Sequence, residues 1–303
     1  MTVADLVAGR RVAARRTAAE NRTQTRLTIG TSRVARTVTL VVLAVAALVW
    51  LLPLLWGVDT SFKTENDAAG SATWLPPGGF TLEAFREVLS RGEVARWMVN
   101  STLVAVIVTA VTVLVSAMAA YAFSRTLFRG RRALMALTVV SIMIPPQILV
   151  VPLFQQMLTL NLVDTLAAVI LPQVVAPVMV FILKRFFDAV PAELLDAAAI
   201  DGAGPWRMFW TIVMPLSRSI LVAVGIFVFI GAWNNFLWPF IVTNDPALMT
   251  LPVGLATVKS AYGVQYAQSM ASAMLAALPL LVVFMLFQRR IVQGIATTGM
   301  GGQ

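Results

Sequence analysis

The sequence predicts an all-α integral membrane protein with six transmembrane helices and both termini in the cytoplasm. Three observations lead there. Hydrophobic residues make up 59% of the 303 and charged residues 12%, against about 25% charged in a soluble domain. Six apolar runs, at about 37–58, 97–124, 133–156, 166–183, 219–241 and 269–288, hold no charge inside. Roughly 20 such residues, as a helix, cross a hydrocarbon core of about 30 Å. The basic residues are also unevenly shared. Arg10, Arg11, Arg15, Arg16, Arg22, Arg26, Arg33 and Arg36, the loop Arg125 to Arg132, the stretch Lys184 to Arg218, and Arg289 with Arg290 together hold 18 of the 23 Lys and Arg. Lys63, Arg86, Arg91, Arg96 and Lys259 fall on the other side, and the richer side is cytoplasmic by the positive-inside rule.

Taken in order, residues 1–36 read as a basic cytoplasmic arm. Its paired arginines are similar to a twin-arginine signal, but the apolar run that follows is long and leads into further spans, which favours an arm that stays. The first span, 37–58, leads to an external loop, 59–96. There Trp74-Leu75-Pro76-Pro77-Gly78-Gly79 makes a turn, and Leu82, Phe85, Val88 and Leu89 have the spacing of a short amphipathic helix packed on the bundle. The remaining five spans form a core over 97–291, with a cytoplasmic elbow at 185–215, an external loop at 242–268 and a cytoplasmic tail at 292–303.

Several function classes are excluded. With no Cys and no His, disulfides, thiolate or imidazole metal sites and His-based catalysis fall away. The net charge of +9 belongs to residues flanking apolar runs without stacking aromatics, which fits a membrane surface and no nucleic acid. Mid-membrane charges would mark a proton relay, and the spans hold none, although Na⁺ coupling through carbonyls and hydroxyls stays open. An intramembrane protease would need an acid pair or an activated nucleophile. The three lysines follow Phe62, Leu183 and Val258, so no phosphate-binding Gly-Lys-Ser/Thr loop exists and the chain is not its own ATPase. It is read as a non-catalytic subunit without a cofactor of its own.

What the spans do contain is proline (Pro53, Pro145, Pro146, Pro152, Pro172, Pro177, Pro239, Pro279) and neutral amides (Asn100, Gln147, Gln155, Gln156, Gln173, Asn234, Asn235). Proline kinks helices and frees carbonyls, and an amide in lipid must face another helix or water. The amides are either interhelical glue or the lining of a polar route. Asn234 and Asn235 beside Trp233 and Trp238 suit sugar hydroxyls and ring faces, while Trp equally anchors helices at the interface. Asn100, Gln147, Trp233, Asn234 and Asn235 are therefore the candidate pathway residues. In the loop Thr243 to Ser269, a turn at Asn244-Asp245-Pro246 is followed by Tyr262, Gln265 and Tyr266, which are open to a partner or simply connect two helices.

One stretch interrupts the apolar pattern. In PAELLDAAAIDGAGPWRMFWTIVMPL, Pro191 to Leu216, Pro191 suits a first turn, Ala192 to Ile200 are strong helix formers, and Gly202 sits where a helix ends left-handed. Gly204-Pro205 starts a second helix that ends near Pro215. Ala197, Ala198 and Ala199 keep the first limb thin, while Glu193 and Asp196 put acid on one side. A helix resting on anionic lipid is usually basic, so acid here points to a protein partner.

The same string resembles the EAA loop of bacterial ABC-importer permeases, with Pro191, Glu193, Leu194, Ala197, Ala198, Ile200, Asp201, Gly202, Ala203, Phe209, Ile212 and Pro215 matching in order. WMVNSTLVA (Trp97 to Ala105), MIPPQILVVPLF (Met143 to Phe154), WNNFLWPF (Trp233 to Phe240), TLPVGL (Thr250 to Leu255) and RRIVQGIATTG (Arg289 to Gly299) are similar to the MalG-like subunits of carbohydrate importers. The resemblance implies a type I ABC importer permease with a MetI-like core in the bacterial cytoplasmic (inner) membrane. It implies binding-protein-dependent sugar import, or import of a polyol or glycerol phosphate. The implied partners are a second, MalF-like permease, two copies of an ABC ATPase that bind ATP and Mg, and an extracytoplasmic sugar-binding protein, all within membrane lipid. Coupling to the ATPase would fall to Glu193, Leu194, Asp196, Ala197, Ala198, Asp201, Gly202 and Ala203, and contact with the binding protein to Tyr262, Gln265 and Tyr266. Two departures stand out: Asp196 replaces the usual Glu of the triplet, and Gly301 the lysine common near the end of these chains.

Overall fold

The computed structural model describes residues 33–70, 73–90, 93–257 and 265–299, apart from the side chains of Arg33 and of 289–299. The arm up to residue 32, Tyr262 and Gly301 lie outside the described residues. Helices, with turns between them, make up the described chain, and it divides into two compact units, Met1–Gly57 and Val58–Gln303.

The first unit contributes most of α1 (Arg33–Ser61), an apolar helix with Pro53 inside it. Its faces from Leu40 to Leu55 are exposed all round, as suits a helix surrounded by lipid or other apolar helices.

In the second unit, α2 (Glu65–Gly70) and α3 (Glu83–Ser90) precede α4 (Glu93–Arg125). The helix α3 is the amphipathic segment expected after the first turn, and it packs on α14 (Tyr266–Gly299) through Ala84, Ala267 and Ala271. At 33 residues, α4 is about 50 Å long, and it is the axis of the unit. Its buried positions Trp97, Ser101, Val104, Ala105, Val108, Thr112, Ser116, Ala117, Ala120 and Tyr121 recur every three or four residues. Many are small, which lets the backbones of α8 (Pro177–Asp188) and α11 (Arg218–Trp233) approach closely. Leu103, Val106, Val111, Leu114 and Val115 on the other face are exposed.

Three expected spans are not straight. The run 133–156 is α5 (Arg131–Ile142) and α6 (Pro146–Thr159) at 98°, and the run 166–183 falls in α7 (Leu166–Val174) and α8 at 43°. The elbow's second limb, α10 (Pro205–Leu216), meets α11 at 80°. Proline makes the first two breaks: Pro145 is extended before Pro146, and Ala176 sits at φ −128°, ψ 84° before Pro177, because a residue preceding proline avoids the helical region. Thr112 Oγ1 donates to the freed Val174 carbonyl at 3.3 Å. The run 219–241 likewise divides at Asn234-Asn235-Phe236 into α11 and α12 (Leu237–Val242).

Candidate functional site

Two constructions occupy the two ends of α4. At its C-terminal end lies the elbow. The first limb, α9 (Ala192–Ile200), starts after Pro191 in the extended region. It stops in a Schellman turn: Gly202 N–H donates to the Ala199 carbonyl at 3.0 Å and Ala203 N–H to that of Ala198 at 2.9 Å, with Gly202 left-handed at φ 78°. Gly204 is extended, and Pro205 opens the second limb. One turn before Pro215, the ladder of α10 widens over Phe209–Val213, where Met214 N–H reaches back to Phe209. That bulge is a usual response to a proline ring pressing on the preceding turn.

The elbow is held on one side and open on the other. Phe209 and Val213 are fully buried in the main core and Leu195 packs partly against it, while the Phe209 ring lies 5.2 Å from that of Tyr121. Glu193, Leu194, Asp196, Ala197, Asp201 and Gly202 are exposed, and Ala198 and Ala203 half-buried. Ile200 is 86% exposed and Trp206 60%. The structure therefore brings all eight coupling candidates onto one projecting helix and its turn, with acid and apolar side chains side by side.

At the N-terminal end of α4, side chains grip the segment after α12. Trp97 Nε1 donates to the Pro246 carbonyl at 2.7 Å. Asn100 Nδ2 donates to Ala247 and Met249, each at 2.9 Å, and Ser101 Oγ accepts Leu251 N–H at 2.8 Å. Trp97, 2% exposed, lies flat against Gly254 of α13 (Leu251–Thr257): a Cβ there would stand 2.1 Å from the indole. The glycine of TLPVGL exists so that an aromatic ring can touch backbone.

Asp164 completes this clasp. The loop between α6 and α7 turns left-handed at Asn161 and Asp164, and the Asp164 carboxylate accepts Asn244 N–H, Asp245 N–H at 3.1 Å and the Asn244 side-chain amide at 3.3 Å. The Asn244 and Asp245 N–H groups hold its carboxyl below the usual aspartate range against the opposing effect of burial, with a lesser contribution from the Asn244 amide.

The pathway candidates part company here. Asn100 is buried as an anchor of the clasp, and Trp233 is buried at 2%, its Nε1 donating to Ala276 of α14 at 3.2 Å. Gln147 is exposed just beyond the Pro145-Pro146 break. Asn234 donates back to Ile230 at 2.9 Å, whereas Asn235 Nδ2 donates to Gln173 Oε1 at 2.8 Å and Gln173 Nε2 to Val169 at 2.7 Å. An amide chain thus joins the break after α11 to α7. Of the loop candidates, Gln265 and Tyr266 lie at the start of α14, where the Glu65 carboxylate accepts the N–H of Tyr266 and, at 3.1 Å, of Ala267. Asp164 and Glu65 do not stand out in the sequence, and Gln173 stands there only as one of the span amides, because the partners that give them a role lie 62 to 202 residues away.

The family of binding-protein-dependent transport system inner membrane components matches residues 112–297. The arabinooligosaccharides transport system permease protein AraQ of Halalkalibacterium halodurans is 36% identical, over 86% of this chain and 94% of that protein. The lactose transport system permease protein LacG of Rhizobium radiobacter is 33% identical, over 84% and 92%. A crystal structure of a bacterial ABC transporter involved in import of the acidic polysaccharide alginate has a chain of the same fold, with a TM-score of 0.78 at 20% identity over 86% of this chain and 99% of that one.

Proposed function

This chain belongs to the binding-protein-dependent transport system inner membrane components, and from that premise we propose that it imports a sugar as one half of an ATP-driven permease. The observation that carries the coupling part is the elbow: an acidic and apolar helix thrust outward from the end of α4, with an exposed surface that asks for a protein partner. A separate ATPase chain docks there, binds ATP and Mg and hydrolyses ATP. Glu193 and Asp196 meet cationic side chains of that chain, while Ala197 and Ala198 admit its backbone closely.

The elbow faces the cytoplasm. Arg125, Arg129, Arg131 and Arg132 follow from the same end of α4, Lys184 and Arg185 lead into the elbow, and the excess of basic residues marks that side. The clasp end of α4 then lies outside, where Tyr266 and the neighbouring loop meet a sugar-binding protein. A second, homologous permease supplies the other half of the pathway. The absence of charge in the spans suits an uncharged cargo.

The test is purification of the complex from detergent-solubilised membranes, with partners identified by mass spectrometry, for the native chain and for Glu193→Arg. The native chain should bring down an ATPase, a second permease and a binding protein. Reversing the charge of this docking residue should lower ATPase recovery about tenfold or more while leaving the second permease. A native chain recovered alone would overturn the proposal.

A further inference from the structure

Tyr121 and Arg125 stand four residues apart on the last turns of α4 and so share a face. Arg125 Nε donates to the Phe187 carbonyl at 3.1 Å. Its Nη2 donates to the same carbonyl, to that of Asp188 at 3.3 Å and to that of Val190. Phe187 and Asp188 close the last turn of α8, where carbonyls lack partners four residues on, although the Phe187 carbonyl also accepts Val190 N–H at 3.2 Å; the cation thus caps the helix at the favourable end of its dipole and reaches past it to Val190. Beside it, Ser124 Oγ donates to the Asp188 carboxylate at 2.7 Å. One turn earlier, Tyr121 O–H donates to the Pro205 carbonyl at 2.9 Å.

The chain positions are telling. Val190 is the residue before Pro191, at the root of the elbow's first limb, and Pro205 is the first residue of its second limb. A single face of α4 therefore holds the elbow at both of its roots, and the projecting limb hangs between them. Leu195, Phe209, Val213 and Met214 add apolar contacts, which are non-directional and fix no register, whereas the hydrogen bonds at the two roots are directional.

We propose that Tyr121 and Arg125 are positioning residues that clamp both roots of the elbow to α4, so that any displacement imposed on the elbow carries α4 with it. This rests on the reading of the elbow as the ATPase-docking element.

The chain contains no cysteine, so labels can be placed without removing native residues. Spin labels on Thr211→Cys, exposed on the second limb, and Leu103→Cys, exposed on α4, report their separation by pulsed electron resonance in the purified complex, with and without ATP and vanadate. In the native background one narrow distance should persist in both conditions. Tyr121→Phe keeps the ring against Phe209 and removes only the donor; it should open a second, nucleotide-dependent population, with the ratio of populations shifted about fivefold. Arg125→Gln removes the charged fork and should shift it further. The clamp is overturned if the native distance itself changes with nucleotide, or if both variants keep the single native distance while ATPase is recovered. A complex without ATPase would instead overturn the docking reading on which the proposal rests.

Discussion

The two ends of α4 solve opposite problems. At one end an elbow of 25 residues, Ala192–Leu216, projects an exposed helix whose shape comes from its own sequence: helix formers, a left-handed glycine and a proline restart. At the other end Trp97, Asn100 and Ser101 are buried against a segment 147 to 150 residues further on. The first end is built locally and kept open; the second is built from distant parts and closed. A surface meant for a partner can be laid down by short-range rules, because the fold asks little of it. A clasp that ties the bundle together cannot.

That contrast can be broken most forcefully at Gly254. Gly254→Ala drives a methyl into the Trp97 ring, and overpacking of this kind costs about 1–3 kcal/mol or more, so the purified protein should unfold at a clearly lower temperature. Gly204→Ala is the matching change in the elbow. It has open space and an extended backbone, and thermal unfolding should not shift. Equal shifts would remove the distinction between the two ends.

Next in size is Asn100→Leu, which orphans the Ala247 and Met249 carbonyls and should cost about 2–3 kcal/mol. Glu193→Ala in the elbow should leave stability unchanged and lower only ATPase recovery. The expected result is stability loss at one end and partner loss at the other.

Gly202→Val sharpens the elbow side. There is room for the side chain, but a branched residue at φ 78° is strained by about 1–2 kcal/mol. Transport should fail while the variant still reaches the membrane, its unfolding temperature lowered only in proportion to that strain. Gly202→Asn, which tolerates the left-handed region, should restore part of the uptake. Full uptake by Gly202→Val would show that the turn does not direct the limb.

The smallest effect belongs to Asp164. Its carboxyl titrates lower in the folded protein than in the unfolded chain. The stability it contributes is therefore full above the ordinary aspartate value of about 3.9 and is lost as pH falls through its lowered folded value. Unfolding temperatures measured on acidification should converge for the native chain and Asp164→Asn, the native advantage being confined to higher pH. A difference independent of pH would mean that hydrogen bonding without charge suffices.

Much of this was legible in advance. The apolar runs, the elbow, the Gly202 turn and the amphipathic helix over Glu83–Ser90 follow from spacing and local conformational preference. The prolines at 145, 146 and 177 marked kinks in the sequence, but the 98° and 43° bends they produce are beyond what composition can tell. For Asn100 and Trp233 the sequence left packing contact and polar lining both open, because an amide or an indole in an apolar run looks the same whether it meets cargo or closes a packing contact.

The sequence by itself determined that this chain lives in a membrane and what its elbow is made of, since hydropathy, backbone preference and capping act over a few residues. Only the tertiary structure decided which face of α4 is buried. In an apolar medium hydrophobicity does not distinguish core from lipid, and small side chains such as Ala105, Ala117 and Ala120 mark the packed face instead. It also decided which amides are spent on distant carbonyls and that Tyr121 and Arg125 meet both roots of the elbow, because hydrogen bonds between residues 62 to 150 positions apart exist only once the bundle has closed.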